Sequence, residues 1–254
     1  DHYNGPDQEG AAILHVTQTK RVRASAAQAF LQPARSRPNL KILTGALATR
    51  ILFEGNRAVG VEYDRAGTRE TARAGREVIL SGGSINSPQL LMLSGIGPAE
   101  QLQALGIPVV ADLPGVGRNL HEHAAFPLQA EVNVTTPNVE VNPVAAVKYG
   151  AQWLLRGAGP LTSVVFQAIA FAKTQPVLSH PDVQLHFAPM GFGADDEHVF
   201  MEDRPMFTIQ ANVSRSRSRG ELRLASASPF DPPAIQANML GDEHDLRTLI
   251  EAAK

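Results

Sequence analysis

Val78-Ile79-Leu80-Ser81-Gly82-Gly83-Ser84-Ile85-Asn86-Ser87-Pro88-Gln89-Leu90-Leu91-Met92-Leu93-Ser94-Gly95-Ile96-Gly97 is the stretch on which the fold of this chain turns. Its three opening apolar residues, bounded by turn formers, read as a short strand covered on both faces. Gly82 and Gly83 come next. Lacking a Cβ, they let the backbone turn sharply and come close to a ligand. Ser87 suits an N-cap and Pro88 the first helical position, so a helix is predicted from there, stopped by Ser94-Gly95-Ile96-Gly97. A strand, a glycine turn and a helix N-terminus are how α/β folds seat nucleotides. The same order of elements also occurs where nothing binds, so the glycine pair alone does not separate a site from a plain turn.

Upstream, segments 40–43, 49–53, 58–63 and 77–81 read as strands, punctuated by Gly45, Glu54-Gly55-Asn56 and Asp64-Arg65-Ala66-Gly67. Segment 24–32 is alanine-rich and reads as a helix that Pro33 stops. After about residue 124 the texture changes. Segment 144–155 carries Val144, Val147, Trp153 and Leu154 at helical spacing, and Gly157-Ala158-Gly159-Pro160 closes it. Segments 183–187 and 206–213 alternate like strands with one covered face, and 221–224 comes after a turn at Gly220, so an antiparallel sheet containing all three is predicted. Asp242, Glu243 and Asp245 open a last helix, where the helix dipole favours negative charge.

With 254 residues, 43% of them hydrophobic, the chain has enough apolar surface for one large domain or two small ones. Its 23 basic and 25 acidic residues leave a net charge of -2, which offers no long-range attraction for nucleic acid or an anionic membrane. No apolar run approaches the roughly 18 residues of a membrane-spanning helix. The absence of cysteine removes disulfides, thiol catalysis and cysteine-ligated metals, and leaves the compartment open. His121-Glu122-His123 offers two ligands without further partners in view, so no metal is expected there. The acidic strings 195–198 and 242–245 read as a solvated loop and a helix start. Segment 214–219 alternates serine and arginine and reads as a solvated strand edge rather than a nucleic-acid surface. No Gly-X-Ser-X-Gly elbow supports a serine hydrolase. The polar start, Asp1-His2-Tyr3-Asn4-Gly5-Pro6, has neither a Met nor a signal-peptide pattern and is not expected to be the natural N-terminus.

Gly83-Ser84, Ser87-Pro88, Leu90-Leu91 and Ser94-Gly95-Ile96-Gly97, at these spacings, resemble the second signature of the glucose-methanol-choline (GMC) oxidoreductases. Segment 106–123 is similar to the stretch just C-terminal to that signature in the family, with Glu122 where an aspartate is usual. Segments 35–53, 57–63, 180–187, 218–224 and 229–235 are similar too. The resemblance runs along nearly the whole chain and is nearest to the choline dehydrogenase branch and its FAD-dependent alcohol dehydrogenases. It implies an α/β (α+β) architecture: part of an FAD-binding domain over residues 1–123, then part of an antiparallel-sheet substrate domain of the p-hydroxybenzoate hydroxylase type over 124–254.

The resemblance implies FAD as the cofactor and a small alcohol as the substrate, oxidised to an aldehyde by hydride transfer to the flavin. Backbone at Ser81, Gly82 and Gly83 would approach the adenosine side of FAD. Ala48 falls where the family contacts the adenine through a main-chain group, and its other reading is a plain strand residue. Neither the family's Gly-X-Gly-X-X-Gly turn nor its late catalytic histidine is found, so the chain is expected to be the middle of a longer flavoenzyme, inactive by itself, with the flanking segments as its partners and no catalytic residue of its own. Gln167 stands four residues before Phe171, where choline dehydrogenases carry a glutamate. A buried cation without a counter-charge is costly, so a neutral alcohol is expected, and the alternative is a plain helix-face residue. Oxygen and a quinone-type acceptor remain alternatives for the electrons. A cytoplasmic location is the expectation, membrane association its alternative. A non-catalytic module that retains the fold is the competing functional class.

Overall fold

The computed structural model describes residues 3–19, 22–140, 142–195 and 198–254. The chain divides into two compact units, one of Lys41–Glu122 with Arg217–Asp242, the other of Asp1–Leu40, His123–Ser216 and Glu243–Lys254. The sequence suggested one boundary after residue 123, whereas the chain passes between units at four places. Pairing across the sequence is the reason: Gly10–Ile13 pairs with Ala168–Ala172, Leu120 bridges to Gly220, and the Leu222 N–H donates to the Gly117 carbonyl at 2.7 Å, so segments distant in sequence share a unit.

The first unit, here the glycine-turn unit, opens with an antiparallel meander of Ala46–Glu54, Arg57–Arg65 and Thr68–Arg73. The first two strands contain the predicted 49–53 and 58–63. The third was not predicted, because all six of its residues are exposed and show no apolar alternation. Segments 40–43 and 77–81 are not strands, and Ile79 is 77% exposed. An apolar run becomes a strand only where a second backbone takes up its N–H and C=O groups, and among the described residues none lies beside these two.

The helix spans Gly83–Leu93, so it begins before the predicted Ser87 cap and carries Pro88 inside it. Gly83, at φ 80°, swings the chain into the helix directly. Pro88 keeps a helical φ and forgoes only the bond to the Ser84 carbonyl. At the far end Gly95, at φ 88°, turns the chain where a Cβ would run into the Pro108 carbonyl oxygen. Met92 and Leu102 are fully buried and pack with Leu93, Ile107, Leu222 and Leu224 into the core of this unit. Each such side chain contributes about 1.5–3 kcal/mol of burial. The Ser94 hydroxyl accepts the Ile51 N–H at 2.8 Å and donates to the Leu90 carbonyl at 2.6 Å, tying the helix end to the meander.

The second unit is built on a five-stranded antiparallel sheet in the order Gly10–Ile13, Ala168–Ala172, Val183–Ala188, Met206–Val213 and Ala125–Glu131. The strands predicted at 183–187 and 206–213 are its centre. The strand predicted at 221–224 does not join them; Glu221–Arg223 lies in the glycine-turn unit. Helix Glu243–Ala252 packs on the central strands with Leu249 and Thr248 buried. Its Asp245, with no exposure, accepts the Ser216 hydroxyl at 2.7 Å.

The predicted 144–155 helix is present as Pro143–Arg156. The Asn142 Oδ1 caps it by accepting the Ala145 N–H at 3.0 Å, and Gly157, at φ 61°, ends it. Over 24–32 the chain forms a π-type turn at Ala27–Leu31 running into Gln32–Ala34, so Pro33 sits inside the helical stretch instead of stopping it. Segment 214–219 is a turn and irregular chain rather than a strand edge; two of its serines are engaged elsewhere, Ser216 donating to Asp245 and the buried Ser218 Oγ accepting the Asp242 N–H at 3.0 Å. Asp196 and Glu197 of the acidic 195–198 string, like Asp1 and His2, lie outside the described residues. Among the described residues no helix is long and apolar enough to cross a membrane.

Candidate functional site

In the glycine-turn unit a cleft of about 360 Å³ lies between the meander and the helix. The meander contributes Ala46, Leu47, Ala48 and Val61, and the helix contributes Asn86, Ser87, Gln89, Leu90 and Leu93. The extended segment from Val78 to Gly82 and Pro229 complete the wall. Ala48, Ser81 and Gly82, singled out from the sequence, therefore meet in one place. Gly83 does not line the cleft. It stands next to it as the first helical residue, its missing Cβ pointing into open space, and its glycine answers to the positive φ. At Gly82 a Cβ would press on Asn86 Cβ at 3.2 Å and Ser87 Oγ at 3.3 Å, so those neighbours would have to give way slightly to any larger residue.

No side chain lining this cleft is ionisable; its polar groups are the Ser81 and Ser87 hydroxyls, the Asn86 and Gln89 amides and the backbone. The backbone from Val78 to Ser81 makes no backbone hydrogen bond to another described residue. Gln89 Nε2 is committed, donating to the Asp231 carbonyl at 3.0 Å. Ligand pockets run from ~300 to ~1,000 Å³, so a cleft of this size holds part of a dinucleotide rather than all of it. A neutral, largely apolar wall fits a purine and ribose. Sequence reasoning missed Asn86, Gln89 and Pro229, which become part of the site only through tertiary packing.

Gln167 belongs to the sheet unit and sits just before the Ala168–Ala172 strand, not on a helix face. Its N–H donates to the Phe187 carbonyl at 2.8 Å, and its carbonyl accepts the Leu14 N–H at 3.0 Å. Its side chain enters a cavity of about 330 Å³ and donates from Nε2 to Ser163 Oγ at 3.0 Å. Glu140, Tyr149, Met190 and Met201 also line this cavity. The Tyr149 hydroxyl donates to Glu140 Oε2 at 3.0 Å. That hydrogen bond holds the Tyr149 pKa above the usual phenol range, so it stays a neutral donor.

Elsewhere in the sheet unit His186, on the Val183–Ala188 strand, has a buried Nδ1 without a partner, and its ring lies 5.5 Å from that of Phe166. Burial, and then the neighbouring His123, push its pKa down. In the glycine-turn unit His121 Nδ1 lies 2.8 Å from the Asn119 carbonyl oxygen. The described residues hold no group of three or more His, Asp or Glu placed to bind a metal.

The family model described as GMC oxidoreductase matches residues 1–125. Choline dehydrogenase, mitochondrial, of Homo sapiens is 44% identical over 244 residues, covering 96% of this chain and 41% of the human protein. Oxygen-dependent choline dehydrogenase of Brucella anthropi is 42% identical over 246 residues, covering 96% of this chain and 44% of that protein. The chain thus spans less than half the length of these relatives. Pyridoxine 4-oxidase from Mesorbium loti superimposes with a TM-score of 0.80 at 22% identity, over 99% of this chain and 45% of that one, which shows the shared fold. The mixed α/β fold of this chain is the one found in GMC oxidoreductase structures. These matches show that the chain belongs to the GMC oxidoreductase family of flavoproteins and is related to choline dehydrogenase.

Proposed function

We propose that this chain is part of an FAD-dependent enzyme that oxidises a primary alcohol to the aldehyde. One observation carries the reading: Ala48, Ser81 and Gly82, distant in sequence, line a single uncharged cleft beside the glycine turn. Members of the family bind FAD. In this reading the backbone at Ala48, Ser81 and Gly82 holds the adenosine end of the cofactor, and Gly83, at φ 80°, sets the turn that places it. The Ser87 hydroxyl and the Asn86 amide add hydrogen bonds, while Leu90, Leu93 and Val61 keep water from the purine. FAD, when bound, supplies the hydride acceptor. The chain's own part is to bind and orient, and the Gln167 cavity is its contribution to substrate recognition. No residue of this chain is assigned the proton transfer from the alcohol.

The test is the visible spectrum of the protein expressed from its complete gene, with FAD affinity measured by flavin fluorescence in parallel. Wild type is expected to carry flavin that bleaches when an alcohol is added without oxygen. Gly83→Val, which forces a β-branched residue into φ 80°, is expected to weaken FAD binding by at least tenfold. Unchanged FAD affinity in that variant would remove the glycine turn from the cofactor site.

A further inference from the structure

We infer that Met201 is a site of oxidative modification, at which peroxide converts the thioether to the sulfoxide and makes the Gln167 cavity less favourable to its ligand. That the ligand is an alcohol rests on the proposed function; the modification does not.

Two of the five methionines of the chain, Met190 and Met201, line this cavity. Met201 ends the strand Val199–Met201, whose ladder with Phe192–Ala194 sets it opposite Phe192. All three residues of that strand are exposed, and Met201, at 41%, is open to a small solute. Met190 is less exposed, and its carbonyl accepts the Thr208 hydroxyl at 2.8 Å. Met92 and Met206 are buried, at 0% and 7%. Met239 is 56% exposed, but it belongs to the glycine-turn unit and lines no part of this cavity. Exposure therefore sorts the thioethers: Met201 and Met239 react first, Met190 later, Met92 and Met206 last. Among them Met201 alone combines ready oxidation with a place in the binding wall.

In the reaction the sulfur attacks one oxygen of hydrogen peroxide and the O–O bond breaks. The other oxygen takes the proton and departs as water. Sulfur loses two electrons and the peroxide gains them, so no other reactant is needed. Peroxide can arrive from outside, or from the turnover of the enzyme itself if its electrons pass to oxygen. The product is polar where the thioether was apolar. Leu161, Val164 and Val165 make the neighbouring wall apolar. The Tyr149 hydroxyl is already given to Glu140, and Gln167 Nε2 donates to Ser163 Oγ. A sulfoxide oxygen there holds water or competes for these donors, and a ligand must displace it.

The experiment treats the protein from its complete gene with graded hydrogen peroxide and maps each methionine by peptide mass spectrometry. KM and kcat for a primary alcohol, butan-1-ol in the first instance, are measured before and after. Met201 and Met239 are expected to be oxidised roughly tenfold or more faster than Met92 and Met206, and KM to rise about three- to tenfold with kcat little changed. Methionine sulfoxide reductases, which return the thioether, should reverse the rise. Met201→Leu should keep its own KM through the same treatment, whereas Met239→Leu should respond as wild type does. The inference is overturned if Met201 stays unoxidised while Met239 is oxidised, if KM holds with Met201 fully oxidised, or if Met201→Leu loses affinity as wild type does. A protein in which Met201 is oxidised in this order but no primary alcohol is turned over would refute the alcohol reading and leave the modification site standing.

Discussion

Replacing Ser94 by alanine probes the joint that holds the two walls of the glycine-turn cleft together. Ser94 and Ile51 are 5% and 4% exposed, so when the hydroxyl is lost no water reaches the Ile51 N–H. An orphaned buried donor costs about 1–3 kcal/mol. The bond to the Leu90 carbonyl is also lost, but that oxygen keeps the Ser94 N–H at 3.1 Å, so its loss adds little. A destabilisation of about 2 kcal/mol, with a urea m-value of ~2 kcal/mol/M, lowers the midpoint by about 1 M. Urea titration followed by far-ultraviolet circular dichroism measures this. Hydrogen exchange at the Ile51 amide reports the joint itself and should accelerate in the variant. Because the meander carries Ala48 and the helix carries Ser87 and Leu90, FAD affinity should fall with the joint. A midpoint within 0.3 M of wild type (below ~0.6 kcal/mol at that slope), with Ile51 exchange unchanged, would refute the reasoning.

Three further outcomes are expected. Gly95→Ala should cost more than 3 kcal/mol, since it combines the ~1–2 kcal/mol of a left-handed backbone with a clash at Pro108. Gly106→Ala, at φ 70° with nothing within 4 Å, should cost the backbone share alone, and paired urea titrations compare the two. The lowered pKa of His186 means that the unfolded chain takes up its proton first as pH falls. Stability should therefore decline from about the unperturbed 6.5 downward, the loss being complete below the folded value, and midpoints at pH 7.5 and 5.0 should differ less in His186→Gln, with His123 retained as the facing charge. Thr174 donates from N and Oγ1 to the buried Asp182 carboxylate at 2.8 and 2.6 Å, so Asp182→Ala should cost about 2–3 kcal/mol in thermal or urea unfolding.

Where local chemistry decides the structure, it was legible. Gly45, Gly55 and Gly67, at φ 64°, 59° and 80°, stand at the turns that delimit the first two meander strands. Alternation marked Val183–Ala188 and Met206–Val213, and helical spacing with Gly157 marked Pro143–Arg156. Where a distant partner decides, it was not. The run at 78–80 looks like a strand but has no neighbouring ladder among the described residues, while the largely polar Thr68–Arg73 becomes one because Arg57–Arg65 lies beside it. Ala168–Ala172 is too alanine-rich to signal β structure, yet it sits second in the sheet. The cleft around Ala48, Ser81 and Gly82 was reachable from the glycine turn and the family pattern. The cavity around Gln167 was only half reachable, because Glu140, on the short helix Pro137–Glu140, and Tyr149, on Pro143–Arg156, reach its wall only through tertiary packing.

The central claim is that the glycine-turn cleft holds the adenosine end of FAD in an alcohol-oxidising enzyme. Its most direct test is the anaerobic visible spectrum of the protein from its complete gene, before and after addition of an alcohol, for wild type and Gly83→Val. Flavin bands that bleach in wild type, with flavin lost from the variant, are what the account expects. Wild type without flavin, or a variant that retains and reduces it as wild type does, would contradict it.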